Sequence, residues 1–337
     1  MCDLNHGLSY IFYIQYPWEA RKMKHKFSLL LSLITLVCSS CGNSPARLSQ
    51  LKLISPNGAP CLALYNFAKN GNLEINTNPA LVGGQLQADN YDMVVFDFSK
   101  GLESLSRNHG HYKLAKILTG GNLYLVGINK DESKKEPKSG DLVVSFGEGL
   151  IPDLTFKQIY NDKGIDVRYV QGVSDIAPIL KSGKFQTEEV DYVVIAEPLL
   201  SKLMKDLDQS HYTIISLRDK WGEVKQTSPI IPQAGLFVNM NSYQKNETVF
   251  NDYLKQINAD IDVAINEPIQ VKQIMEEKGD ASDQEKIFGF TAEQVYEVQK
   301  DGRNGFALVG NSQTIDINDF FLKIGQSVDY SEYILSC

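Results

Sequence analysis

The sequence predicts an α/β protein of two lobes, each built on a doubly wound sheet. Short apolar runs rich in β-branched residues alternate with helical stretches, the pattern of parallel βα units. A charged segment containing proline and glycine, "KDESKKEPKSGD" (130–141), divides that alternation into two series, as a hinge between lobes would. Three junctions of one layout recur across both series: "LISPNGAPCLAL", "VVSFGEGLIPDLTF" and "VVIAEPLLSKL". Each is an apolar strand, a short turn, and a proline that opens a helix.

The elements follow in order from residue 51. "LKLIS" is an apolar strand, and "PNGAPCLALYNFAKNG" turns and then forms a helix ending at Gly71. "YDMVVFDF" is a second strand, "SKGLESLSR" its helix, and "NLYLVGIN" the last strand before the charged segment. "LVVSFG" opens the second series. Helix "PDLTFKQIYNDKG", strand "IDVRYV", helix "SDIAPILKSG", strand "DYVVIA" and helix "EPLLSKLMKDL" continue it. "TIISL" follows, and "AGLFVNM" (234–240) reads as a strand. The remainder is helix-rich, with "ETVFNDYLKQINADIDVAI", "PIQVKQIMEEKG", "TAEQVYEVQKDG" and "INDFFLKIG". No repeat of fixed period is present.

The junctions point to function. Pro60, Pro152 and Pro198 suit the first helical position, where no N–H is needed. Ala59 and Ile151, just before two of them, have no side-chain oxygen with which to cap. The first amides of those helices are therefore expected to be free for water or a ligand. In open α/β sheets, ligands bind beyond the carboxyl ends of the strands, where such helix ends point. Three junctions spread over two lobes suggest a cleft between them. At any single junction, an ordinary solvated turn is the alternative.

Other chemistries find little support. A net charge of −8 argues against nucleic acid as a partner, because phosphate binding needs basic patches. "GEGLIP" has Gly147 and Gly149, but Pro152 stands where a dinucleotide fingerprint has its third glycine. "HGH" (109–111) offers two imidazoles without an evident third ligand. Neither G-x-S-x-G nor H-E-x-x-H occurs, and Ser-x-x-Lys at Ser49 and Ser242 has no partner motif. No metal, no cofactor and no enzymatic activity are expected.

Ahead of the domain, Met23, Lys24, His25 and Lys26 precede the apolar run "FSLLLSLITLV". A spanning helix needs roughly 20 apolar residues, more than this run provides. A basic start, a short apolar stretch and then small residues make a secretory signal over 23–40. Residues 1–22 lie upstream of this complete signal, and a start codon placed too early is the expected reason. "VCSSC" resembles the bacterial lipobox, with Ser39 and Ser40 before Cys41 and with Cys38 where that motif usually has leucine. The resemblance implies a lipid, palmitate among its acyl chains, on the Cys41 thiol and a location outside the cytoplasm, anchored to the bacterial cell membrane. A plain cleaved signal and a Cys38–Cys41 disulfide are the alternatives. "CGNSPARLSQ" (41–50) reads as a polar tether. Whether Cys61 and Cys337 pair stays open.

Beyond the lipobox, "ISPNGAP", "YDMVVFDF", "YKLAKILTGGNLYLVG", "VSFGEGLIPDL", "VVIAEPLLSKL" and "DGRNGFALV" occur in a characteristic order. Over roughly residues 48–325 the chain resembles the substrate-binding lipoproteins of ABC transporters. It is similar to the branch with the periplasmic-binding-protein type II fold that receives nitrate, sulfonate, taurine and thiamine precursors. The resemblance implies lobe 1 from 51–130 and 234–337, lobe 2 from 139–233, and hinge crossings at "KDESKKEPKSGD" and "SPIIPQAG". It also implies a monomer that captures a small molecule in the cleft and delivers it to an ABC permease and its ATPase. An exported enzyme or surface-binding protein on the same fold is the alternative.

Carried over position by position, the ligand contacts are Ser55, Asn57, Gly58 and Ala59, then Asp97, Phe98 and Ser99, with Phe98 as an apolar wall. Gly121 and Asn122 follow, then Gly147, Glu148 and Gly149, Glu197, and Gln233 with Ala234. Amides near Gly58, Gly149 and Leu154 are expected to grip a ligand oxygen. Asp97, Glu148 and Glu197 would oppose an anion, which favours a neutral or cationic ligand. Replacing Cys41 by alanine is expected to release the protein from the membrane. Fractionation of cells expressing the two forms checks this; equal membrane retention would contradict it.

Overall fold

The computed structural model describes residues 51–128, 136–160, 164–277, 279–310, 313 and 315–335. The signal segment, Cys41, the tether and Cys337 lie outside the described residues. Two five-stranded sheets organise the chain. The first contains β1 (Leu53–Pro56), β2 (Leu73–Asn76), β3 (Met93–Asp97), β4 (Tyr112–Ile117) and a strand from much later in the chain. Its helices are α1 (Ala59–Leu62), α2 (Tyr65–Asn70), α3 (Pro79–Ala88) and α4 (Phe98–Asn108). The second contains β5 (Leu123–Ile128), β6 (Leu142–Phe146), β7 (Asp166–Val170), β10 (Tyr192–Ala196) and β11 (Tyr212–Ser216). A small hairpin, β8 (Lys184–Phe185) with β9 (Glu188–Glu189), stands beside it. Helices α5 (Ile151–Tyr160), α6 (Ile176–Ser182), α7 (Leu199–Met204) and α8 (Leu217–Lys225) connect these strands. β12 (Ala234–Asn239) returns to the first sheet, giving the orders β2-β1-β3-β12-β4 and β11-β5-β10-β6-β7. Then come α9 (Met240–Asn266), α10 (Pro268–Glu276), α11 (Ala281–Phe288), α12 (Ala292–Gln299) and α13 (Ile317–Lys323).

The central strands are those whose sequences are apolar on both faces. Val94, Val95, Val143, Val144, Val193, Val194, Leu236 and Phe237 have no exposed surface. Such strands can sit only where helices cover both sides of the sheet.

Three expectations need correction. The strand Leu123–Ile128, expected in lobe 1, pairs antiparallel with β10 and β11 and so belongs to the second sheet. The chain therefore crosses before this strand, at residues 118–122, and the charged segment at 130–141 joins β5 to β6 within the second lobe. The sheets are also mixed, not wholly parallel. β5 and β12 are the first strands after a crossing and start at the cleft, so they run against neighbours that end there. Finally, Pro60 and Pro152 are the second helical residues, and Pro198 caps α7 instead of opening it. β2, α3 and β4 have no clear sequence signal; β4, "YKLAKI", carries lysines on its half-buried face.

Two clusters give each sheet a core of its own. One packs Phe250, Tyr253, Ile257 and Ile261 of α9 with Phe288, Phe290 and Phe306. Another packs Val144, Val193, Ile195 and Leu200 of the second lobe. A third spans both lobes through α13. Phe320 lies 5.7 Å from Phe98 of the first lobe and 5.4 Å from Trp221 of the second, ring centre to ring centre.

Asp260 is an isolated carboxylate in the first core. Its Oδ1 accepts from Asn66 Nδ2 at 2.8 Å and Gln256 Nε2 at 2.7 Å, while Oδ2 is buried without a partner. Burial pushes its carboxyl up from 3.8 to about 6, although the two amide hydrogen bonds act the other way. The folded state thus binds the proton more tightly than the unfolded chain, and stability falls as pH rises from about 4 through about 6. Asp260→Asn is expected to remove this slope and to gain about 1–3 kcal/mol over the wild type between pH 4 and pH 8. Urea unfolding of both forms at the two pH values checks it.

Candidate functional site

The two lobes are joined by crossings that are hydrogen-bonded to each other. Leu118 N–H donates to the Ala234 carbonyl at 2.8 Å, Gln233 N–H to Thr119 at 3.0 Å, and Ile231 N–H to Gly120 at 3.0 Å. The Thr119 hydroxyl accepts from the Ala234 amide at 3.1 Å, and Gln233 Oε1 accepts from the Asn122 amide at 3.2 Å. A third segment closes on this ribbon. Val309 N–H donates to Leu118 at 3.0 Å, and Gly120 N–H donates to Ala307 at 2.6 Å. Gly121 has φ +101°, and a Cβ there would lie 3.0 Å from Cβ of Ile231 and 3.3 Å from Cβ of Arg218. Only glycine adopts this conformation in so tight a space without strain.

Between the lobes beside this ribbon is a cavity of about 740 Å³. Strand ends of both sheets open onto it: Phe96 and Asp97 of β3, Ala196 of β10 and the Glu197 that follows it. Of the expected ligand residues, Asn57, Gly58, Ala59, Asp97, Asn122, Glu197, Gln233 and Ala234 line it. The others do not. Ser55 is fully buried, its hydroxyl turned to the Pro56 carbonyl at 2.9 Å. Phe98, expected as a wall, is fully buried against Phe320 and Phe321, because it follows Asp97 and faces the other way. Ser99 lies behind Asp97 and donates to it, and Gly121 is held between Ile231 and Arg218. Gly147, Glu148 and Gly149 lie outside the lining, with Glu148 in solvent.

The amides expected to grip a ligand are also occupied. Gly58 N–H donates to the Phe288 carbonyl at 2.7 Å, and Leu154 N–H to Leu150 at 2.9 Å. Gly149 N–H donates at 2.8 Å to Asp153, a fully buried carboxylate that also accepts from Tyr169 and Lys157. Asp153 sits two residues into its helix and folds back onto the turn that precedes it.

Several lining residues are beyond the reach of sequence reasoning. Thr77 follows a strand that has no clear sequence signal, and Gly172, Val173 and Ser174 form the turn after β7. Lys202 comes from α7, and Gly289 and Gln294 from the ends of α11 and α12, distant in sequence and without a motif. Only the Pro198-led "EPLLSK" hints at one of them, since Lys202 lies one helical turn past Pro198.

The charges that line the cavity are Asp97, Glu197 and Lys202. Asp97 Oδ1 accepts from the Lys100 amide at 2.8 Å and the Ser99 hydroxyl at 2.9 Å. Glu197 accepts from the Ser201 amide at 2.9 Å and hydroxyl at 2.7 Å. Burial raises both carboxyls above their ordinary values, and these hydrogen bonds offset part of the rise. Lys202 reaches across to Glu285 of α11 at 3.1 Å, so an ion pair ties the lobes beside the cavity. On the other side Arg218 donates to the carbonyls of Asn304 at 3.1 Å and Arg303 at 3.3 Å. Among the described residues no group of three or more His, Cys, Asp or Glu side chains could hold a metal ion.

No protein-family model and no curated protein sequence matches the chain. Solved structures do match it. The periplasmic aliphatic sulphonate binding protein of Escherichia coli is 11% identical with a TM-score of 0.57, over 85% of this chain and 92% of that one. The ligand binding component of an ABC-type import system from Staphylococcus aureus, with zinc bound, is 11% identical with a TM-score of 0.55, over 81% and 89%. An ABC transporter protein from Parabacteroides distasonis is 18% identical with a TM-score of 0.54, over 76% and 95%. The chain has the two-lobed α/β fold of these binding proteins, as the sequence resemblance implied.

Gly121→Ala is expected to destabilise the protein by about 1–3 kcal/mol, since alanine meets both a positive φ and the close side chains. Gly149→Ala, also at positive φ but with open space around its Cβ, should cost less. Chemical denaturation of the pair checks the order; equal losses would contradict a packed crossing.

Proposed function

We propose that the chain is a solute-binding lipoprotein of an ABC importer, anchored outside the cytoplasm through Cys41. One small molecule would be held between the lobes and delivered to the permease and its ATPase. The observation that carries this reading is the 740 Å³ cavity, lined from both sheets and flanked by two hydrogen-bonded crossings. Strand ends that converge on a cavity are the usual ligand position in α/β folds. Closure about the crossings would bury the ligand, and contacts made only when closed would shift the population.

The polarity of the lining favours a neutral or cationic ligand. Two carboxylates face the cavity, and the one lysine among the described lining residues is already paired. A catalytic reading has less support. The described lining residues include no Cys, His or Tyr, and both carboxylates hold helix ends. The Cys61 thiol is fully buried and pushed up to about 12 by that burial, which leaves it un-ionised and inert.

Mass spectrometry of small molecules released from the purified protein, followed by calorimetry with each candidate, tests the proposal. One neutral or cationic compound per chain is expected. Tight binding of a sulfonate or nitrate would overturn the polarity, and failure of any small molecule to occupy the cavity would overturn the receptor.

A further inference from the structure

Two junctions that open onto the cavity, one from each sheet, are built alike. "YDMVVFDFS" (91–99) ends β3 in Asp97, and "DYVVIAEPLLS" (191–201) ends β10 just before Glu197. In both, a serine a few residues on donates its hydroxyl to the carboxylate, and a backbone amide from the following helix does the same. The two heads are thereby fixed, one on each lobe.

Among the described residues, neither carboxylate has a bonded cation. Lys100, beside Asp97, pairs with Glu103 at 3.2 Å. Arg303 is near enough to Glu197 to favour its ionised form. Its guanidinium nevertheless donates to the carbonyls of Glu297 at 2.6 Å and Lys300 at 3.2 Å. Lys202, the third charged lining residue, is held by Glu285. Next to the two carboxylates in sequence the lining is apolar, with Phe96, Ala196, Pro198 and Leu199, while Asn122 and Gln233 are among its neutral polar residues. Closure would remove water from both carboxylates, and a charge buried without a partner is costly.

From this arrangement we infer that the cavity takes a two-ended cation of the α,ω-diaminoalkane class, one ammonium on Asp97 of the first lobe and the other on Glu197 of the second. The inference rests on the binding-protein reading and goes further by fixing the ligand's shape. A monoamine satisfies one lobe and leaves the other carboxylate bare. An anion is repelled by both. Phe96, Ala196, Pro198 and Leu199 offer apolar surface for the methylene chain between the ammonium groups. Because the ligand bridges the lobes, it also supplies contacts that exist only in the closed form.

Calorimetry on the ligand-stripped mature chain tests this with α,ω-diaminoalkanes of increasing length, matched n-alkylamines and alkanesulfonates. One diamine length is expected to bind best, about 10–100-fold tighter than its monoamine. Asp97→Asn and Glu197→Gln should each bring that diamine down to monoamine affinity. Both substitutions keep an acceptor for the capping donors, and thermal melts confirm that the variants fold. Equal binding of diamine and monoamine, tighter binding of a sulfonate, no binding of any diamine, or an advantage that survives both substitutions would overturn the inference. Any of these, found together with a different small molecule occupying the cavity, would leave the binding-protein reading intact.

Discussion

The pairing of the two crossings is the constraint on which the rest of the structure depends. Residues 118–122 and 230–234 come from chain positions more than a hundred residues apart, yet they hydrogen-bond as neighbours. Once they pair, the directions of β5 and β12 follow, because each leaves the ribbon into its own sheet. The other strands of both sheets then end toward the cleft. The cavity is the consequence: two sets of strand ends brought together by a shared ribbon. The aromatic cluster of Phe98, Phe320, Phe321 and Trp221 gives the lobes a common apolar contact through α13.

The central strands are legible because burial on both faces leaves an unbroken apolar run, as in "DMVVF" and "YVVIA". The strand order is less so. "NLYLVGIN" reads as a buried strand wherever it lies, and the crossing before it is made by backbone hydrogen bonds at Gly120 and Gly121 that leave no side-chain pattern. The charged segment at 130–141 imitates a hinge but joins two strands of one sheet. "YKLAKI" does not read as a strand because Lys113 and Lys116 break its apolar pattern.

The site is legible in the same measure. Turns that follow recognisable strands supply Asn57 to Ala59, Asp97 and Glu197, which line the cavity. Position in a turn does not tell which way a side chain points, and Ser55 and Phe98 both face inward. The Gly147–Gly149 turn looks like an anion grip, but its amide is spent on Asp153, a carboxylate in the first turn of its own helix. Gly289 and Gln294 give no signal because only the folded chain brings α11 and α12 to the cavity that α7 lines. The two capped carboxylates are what the sequence shows most usefully, since the repeated strand–acid–serine pattern is written in the order of the residues.

The central claim is that the lobes close on a small molecule about the paired crossings. Small-angle scattering of the mature chain, with and without a ligand of measured tight affinity, tests it most directly. A smaller radius of gyration in the bound state is the predicted result. An unchanged radius at full occupancy would contradict closure, and the cavity would then be a rigid binding site.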